Sequence, residues 1–124
     1  QGGKAYVPCW KPNSQRAIEV INDLGGVSVL AHPGATLGRG DEELIRELSA
    51  EGLQGIEAYS TYHQQTEVEF FKKIAAQNAL LITAGSDFHG KLKPEIELGK
   101  IEGNNYAVVE KLKELAANSN LPDD

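Results

Sequence analysis

The stretch Ile82-Thr83-Ala84-Gly85-Ser86-Asp87-Phe88-His89-Gly90 ends an apolar run on a carboxylate and an imidazole two residues apart. In an extended segment residues i and i+2 project to the same face, so Asp87 and His89 are expected side by side at a strand's C-terminal end. Such a pair is half of a metal site, or a general acid/base pair. The chain has three histidines in all. His32 directly follows the apolar run Val27-Ser28-Val29-Leu30-Ala31, and His63 comes shortly after Gly55-Ile56-Glu57-Ala58-Tyr59. In a parallel sheet the loops after all the strands open on one edge, where α/β folds keep their chemistry. The histidines and Asp87 are therefore expected to converge in space although they are scattered in sequence.

Each residue also has a plainer reading. His32 could be a loop histidine bonded to a backbone carbonyl, but Pro33 fixes one dihedral and Gly34 permits a tight turn, which presents the imidazole rigidly. Asp87 could satisfy backbone amides in a strand-end turn. His63 lies among Ser60, Thr61, Gln64 and Gln65, where a solvated loop accounts for it. Glu57 reads as an ion-paired or solvent-facing strand position. The glycines Gly34, Gly38 and Gly40 lack the Gly-Lys-Ser/Thr ending of a phosphate loop. No Gly-x-Ser-x-Gly elbow is present, and Cys9 has no histidine near it in sequence, which argues against serine and cysteine nucleophiles.

The elements that must position these residues alternate. Helices are predicted over 14–24, 41–51, 66–77 and 105–117, and strands over 27–31, 55–59 and 79–84. The helical stripes are Ala17, Ile18, Ile21 and Leu24, then Leu44, Ile45 and Leu48, then Val68, Phe71, Ile74 and Ala75, then Val108, Leu112, Leu115 and Ala116. Asn13 or Ser14 caps the first helix and Gly25-Gly26 stops it; Gly52 stops the second. Thr66 and Glu69 read as a capping box, and Asn78 as a left-handed stop. Residues 1–13 read as irregular, with Pro8 and Pro12 as breakers, residues 34–40 as a loop, residues 90–103 as irregular, and 118–124 as a fraying acidic tail. This order implies an α/β fold: a parallel three-stranded sheet with flanking helices and right-handed crossovers. A sheet that thin makes better sense as part of a larger barrel.

The bulk properties bound the function. At 124 residues the chain reads as a single domain, 1–124. A formal net charge of −6 and no long basic run give no evident groove for tracking a nucleic-acid backbone. One cysteine, Cys9, allows no intrachain disulfide and fits a reducing, cytoplasmic setting. No apolar run approaches the length of a membrane span and no signal peptide is evident, so no membrane partner is expected. The chain contains no methionine and starts at Gln1, which hints at an excised segment.

These residues resemble the PHP (polymerase and histidinol phosphatase) family. Gly25-Gly26-Val27-Ser28-Val29-Leu30-Ala31-His32-Pro33-Gly34 is similar to its third motif, and Gly85-Ser86-Asp87-Phe88-His89-Gly90 to its fourth. The similarity runs through Gly55-Ile56-Glu57-Ala58-Tyr59 and Pro94-Glu95-Ile96-Glu97-Leu98-Gly99, as in stand-alone phosphoesterases such as nucleoside 3′,5′-bisphosphate phosphatases and 5′-to-3′ exoribonucleases. The resemblance implies a distorted (β/α)7 barrel with a trinuclear cluster of manganese, iron, zinc or magnesium at its C-terminal face. It implies that His32, Asp87 and His89 are metal ligands serving different metals, and that His63 lies near a position contacting substrate phosphate. The family's opening His-x-His is absent, and no histidine precedes His32. The chain is thus expected to be the C-terminal part of a PHP domain whose cluster it cannot complete alone.

The implied chemistry is phosphoester hydrolysis by a metal-activated water, with second-shell residues such as Ser86 orienting the ligands. The substrate would be a phosphorylated small molecule or short nucleic acid, handled by the full-length parent. The alternatives are a non-catalytic PHP-derived binding or accessory domain, and a complete small hydrolase with a mononuclear site at His32, Asp87 and His89. A partial barrel exposes sheet edges and apolar faces that segment 1–13 must cover or that bring chains together, and a monomer or weak self-association at most is expected.

Overall fold

A computed structural model describes residues 11–37, 41–103 and 106–118. The expectations for Cys9, most of the irregular N-terminal segment, the loop glycines Gly38 and Gly40, and the tail from residue 119 lie outside the described residues. The element order is α1 (Ser14–Asp23), β1 (Val29–Leu30), α2 (Pro33–Thr36), α3 (Glu42–Ala50), β2 (Gly55–Ser60), α4 (Gln65–Gln77), β3 (Leu81–Gly85), a short 3-10 helix (Gly90–Leu92) within the stretch predicted as irregular, and α5 (Tyr106–Asn118). The three strands form one sheet in the order β1-β2-β3, both pairings parallel. The α/β class and the parallel three-stranded sheet with flanking helices are as the sequence predicts.

β2 is the central strand, and its Ile56 and Ala58 are fully buried. Around it the core gathers Ile18 of α1, Ile45 and Leu48 of α3, Leu53, the α4 face Phe71, Ile74 and Ala75, and Leu80. The 3.6-residue stripe of α4 is borne out in full, since Val68, Phe71, Ile74 and Ala75 are all buried. The stripe of α1 is narrower than predicted: Ile18 is buried, Ile21 is exposed, and Leu24 is 74% exposed. The reason is local. Leu24 caps the helix at its open end, and Gly25 turns the chain away with φ 72°. The amide of Gly25 donates to Asn22 O and that of Gly26 to Ile21 O, so two terminal carbonyls of α1 are satisfied. Val108, Leu112, Leu115 and Ala116 are half-buried, and α5 contributes no fully buried residue.

Two signals fall elsewhere than predicted. The capping box of α4 is Gln64 with Glu67, not Thr66 with Glu69, because the helix starts at Gln65 and the Gln64 amide reaches Glu67 Oε2 at 2.8 Å. The left-handed residue ending α4 is Ala79, φ 53°, while Asn78 has φ −113° and closes the last turn with its side chain on Ile74 O at 2.9 Å. The loop predicted over 34–40 begins instead with the single helical turn α2, whose buried Pro33 occupies the first helical position. Among the described residues no helix is long and apolar enough to cross a membrane.

The pairing of β2 with β3 contains a bulge. Glu57 is opposite Thr83, yet Tyr59 is opposite Ala84, so Ala58 is the extra residue. A bulge bends the strand and re-aims the side chains beside it. This one lies at the C-terminal half of the central strand, beneath the loops that carry the histidines.

Candidate functional site

The loops after β1, β2 and β3 do open on one edge of the sheet, and they carry His32, His63, and Asp87 with His89. The strand β3 ends at Gly85, two residues before Asp87. Asp87 itself has φ 52°, in the left-handed region that an aspartate tolerates better than most residues. The strand-alternation reasoning for Asp87 and His89 is therefore corrected: a left-handed turn, not an extended segment, brings the pair together. Their side chains nevertheless meet, with His89 Nδ1 3.7 Å from Asp87 Oδ1.

His89 Nδ1 is also 2.5 Å from the backbone carbonyl of Asp87. A carbonyl can only accept, so Nδ1 carries a proton, and in the neutral ring Nε2 is the nitrogen that holds the lone pair. The His89 side chain is 43% exposed, which leaves that lone pair reachable. A backbone carbonyl holding the far nitrogen of an imidazole is how metal-ligating histidines are oriented.

His32 is placed by strain and by two anchors. It has φ 29° and ψ 60°, a left-handed conformation for a non-glycine residue. Its amide donates to Glu57 Oε2 at 2.7 Å. Two residues on, the Gly34 amide donates to His63 Nε2 at 3.0 Å. The sequence reading of Gly34 as a turn glycine is thereby corrected: the unusual φ belongs to His32, and Gly34 is small because a Cβ there would stand 2.7 Å from His63 Cδ2. The His32 Nδ1 atom is buried and has no hydrogen-bond partner. A buried polar atom without a partner is costly, and in native proteins such atoms are few.

His63 has both ring nitrogens engaged. Nε2 accepts from Gly34, so Nδ1 is protonated and donates to Ala58 O at 2.8 Å. Its ring packs on Phe71 with centroids 4.9 Å apart.

Two residues the sequence did not single out complete the cluster. Tyr62 stands between His32 and Asp87, its ring edge-on to the imidazole of His32 at 5.5 Å and its hydroxyl bonded to Asp87 Oδ2. The Lys93 ammonium bonds the Tyr62 hydroxyl, reaches Asp87 Oδ2 at 2.5 Å, and lies 4.9 Å from the centre of the Tyr62 ring. The Lys93 bond, then the Tyr62 bond, lower the Asp87 carboxyl pKa from 3.8 to about 2, while Asp87 raises that of Lys93. Nothing in the spacing of Tyr62 or Lys93 marks them; only the left-handed turn at Asp87 brings them together. Ser86 is buried and its Oγ accepts a long bond from the Gly99 amide, 3.4 Å.

His32, Asp87 and His89 suit a divalent metal in donor type, and the protonated Nδ1 of His89 leaves the right nitrogen free. They do not surround one point. Among the described residues no group of three or more histidine, cysteine, aspartate or glutamate side chains could hold a metal ion. The set fits a metal as part of a larger ligand set.

No protein-family model matches the chain. Phosphoribosyl 1,2-cyclic phosphate 1,2-diphosphodiesterase of Eggerthella lenta is 34% identical over 79 residues, covering 64% of this chain and 29% of the relative. The 3′,5′-nucleoside bisphosphate phosphatase of Chromobacterium violaceum is 34% identical over 103 residues, covering 82% of this chain and 36% of the relative. A solved structure from Bifidobacterium adolescentis, described as a metal-dependent phosphoesterase, superposes with a TM-score of 0.75 at 33% identity, covering 91% of this chain and 40% of the other. The chain spans about a third of the length of these curated relatives. Sequence and fold together relate it, at modest identity, to metal-dependent phosphoesterases.

Proposed function

We propose that this chain is the C-terminal portion of a PHP-family metal-dependent phosphoesterase, to which it contributes His32, Asp87 and His89 as metal ligands. The observation that carries the reading is the orientation of His89: its Nδ1 is tied to the Asp87 carbonyl, so Nε2 is free beside the Asp87 carboxylate. In the intact domain the substrate is a phosphorylated nucleotide or a short RNA; the similarity to a 3′,5′-nucleoside bisphosphate phosphatase supports the nucleotide part. The bound divalent metal ions, manganese, iron, zinc or magnesium, supply phosphoryl polarisation and an acidified water. The residues of this chain do the holding. His89 and His32 offer neutral imidazole nitrogens, Asp87 an anionic oxygen, and Tyr62 keeps Asp87 and His32 apart.

Alone, the chain is a monomer or weakly self-associating and has no phosphoesterase activity, because its donors do not enclose a metal. A second reading, a non-catalytic binding or accessory domain, is favoured by one observation: the Lys93 ammonium sits on Asp87, where a ligand oxygen needs to be free. The resemblance also gives His63 a contact with substrate phosphate. Such a contact through Nε2 displaces the Gly34 amide, so it requires the turn after β1 to open.

The test is a manganese titration by calorimetry, paired with hydrolysis of a nucleoside 3′,5′-bisphosphate and of a short RNA. It is run on this chain and on the protein with its full catalytic domain. We expect hydrolysis from the full domain only, with loss of both activity and manganese affinity in His89→Ala. Hydrolysis by the 124-residue chain alone would overturn the partial-set reading. An active, unchanged His89→Ala full domain would remove His89 from the site. Absence of hydrolysis in the full domain, with metal bound, would favour the accessory reading.

A further inference from the structure

We propose that Glu57 is the positioning residue for His32, its carboxylate fixing the turn that presents this imidazole. The proposal rests on the reading of His32 as a metal ligand. In the sequence Glu57 reads as an ion-paired or solvent-facing strand position. The structure sends its carboxylate to a backbone amide instead: Oε2 accepts from His32 N at 2.7 Å. A bond from an amide to an ionised carboxylate is about twice as strong as a neutral one.

Three independent features converge on that bond. First, His32 holds a left-handed conformation, φ 29°, which an L-residue keeps only where its surroundings over-determine it. Second, the bulge at Glu57 and Tyr59 lies at this residue, and bulges re-aim side chains next to functional sites. Third, β3 leaves room for the carboxylate: a Cβ built at Gly85 would overlap Glu57 Oε1. Gly85 is not among the residues with positive φ, so glycine is required there for space and not for backbone freedom. Glu57 thus reaches across the sheet edge from β2 to the end of β1, through a gap that β3 keeps open.

The other end of the same turn is held from the same strand. His63 accepts from Gly34 N and donates to the carbonyl of Ala58, the bulge's extra residue. The segment His32-Pro33-Gly34 is held at one end by Glu57 of β2 and at the other by His63, itself anchored on the bulge's Ala58 carbonyl. With the backbone fixed in this way, the imidazole of His32 has little freedom left beyond its side-chain rotamer.

Glu57→Ala, Glu57→Gln and Gly85→Ala variants test the proposal. Amide hydrogen exchange is read by NMR at His32 and, as a folding control, at Ile56 and Ile74. A cobalt(II) titration of the protein with its full catalytic domain follows the visible absorption of the bound ion. Glu57→Ala is expected to abolish protection of the His32 amide and to weaken cobalt affinity about 10–100-fold, the usual effect of losing a partner behind a ligand. Gly85→Ala keeps the carboxylate but displaces it, and is expected to reproduce both effects. Glu57→Gln still offers an oxygen to the amide and is expected to retain most of the protection and affinity. The proposal is overturned if His32 exchange and cobalt affinity are unchanged in Glu57→Ala while the control amides stay protected. It is also overturned if Glu57→Gln fares as badly as Glu57→Ala. If Glu57→Ala does not fold, Gly85→Ala and Glu57→Gln decide by the same criteria. A His32→Ala control separates the two levels: cobalt affinity unmoved by it removes His32 from the ligand set, whereas the exchange data still report on Glu57.

Discussion

Lys93 sits where a cation is wanted, and Lys93→Met removes that cation while keeping much of its length. In the native chain Asp87 has its pKa lowered from 3.8 to about 2, first by the Lys93 bond and then by the Tyr62 bond. At pH 3 a carboxyl of pKa 2 is roughly nine-tenths ionised, and one at 3.8 roughly one-seventh ionised. A carboxyl-detected carbon NMR titration therefore distinguishes them clearly at a single pH. We expect the wild-type Asp87 signal to titrate near pH 2. In Lys93→Met the midpoint should rise, yet stay below 3.8, because the Tyr62 hydroxyl still donates. The sign for stability follows from the depressed pKa. The contribution of the Asp87 cluster is fully present above the unfolded value of 3.8 and is lost as pH falls from about 4 towards 2. Lys93→Met should flatten that part of the pH–stability curve. A wild-type midpoint at 3.8, or one unmoved by Lys93→Met, would refute the account of the cluster.

Two further predictions concern the scaffold. Ile56→Ala empties the 0% exposed centre of β2 and should cost about 2–5 kcal/mol in urea unfolding, whereas Leu24→Ala, 74% exposed, should stay within about 0.5 kcal/mol. Ala79→Gly should stabilise by about 0.5–1 kcal/mol, read as a higher urea midpoint at unchanged slope: an alanine at φ 53° carries a left-handed penalty of about 1–2 kcal/mol, and the entropy cost of glycine offsets about half of it.

The elements that were legible in the sequence are those with a strong period. The α4 stripe and the apolar strands β2 and β3 follow from it, and the parallel order follows from strands separated by helices. Helix ends are less legible where two chemistries compete. Gln64 and Thr66 both precede an acidic residue by three positions, and which one caps depends on where the chain leaves β2. Gly25 and Gly52 signalled stops because glycine is the usual left-handed residue; Ala79 gave no such signal, since burial of Leu80 holds it in place. The outward positions of Ile21 and Leu24 have a similar origin: periodicity names a face, and the neighbours decide how much of it is covered.

The site shows the same division. The gathering of His32, Asp87 and His89 at one edge was legible because loops after parallel strands share an edge. Glu57, Tyr62 and Lys93 were not, since a glutamate in a strand or a lysine in a loop has many ordinary uses. What makes them specific is backbone geometry that no side-chain pattern encodes: left-handed turns at His32 and Asp87, and the bulge at Ala58. These irregularities lie at or just beyond the C-terminal ends of the three strands, and each fixes polar groups of the cluster. The bulge aims Glu57 at the His32 amide, and its extra carbonyl takes His63. The turn at Asp87 hands its carbonyl to His89 and its carboxylate to Lys93 and Tyr62. The central strand therefore does more than fill the core. It holds the turn after β1 through the Glu57 side chain, whereas the loop after β3 holds Asp87 and His89 through backbone and the Lys93 ammonium. A metal entering beside Asp87 must compete with Lys93 on the β3 side, but on the β1 side it meets an imidazole whose Nδ1 is buried and unpartnered.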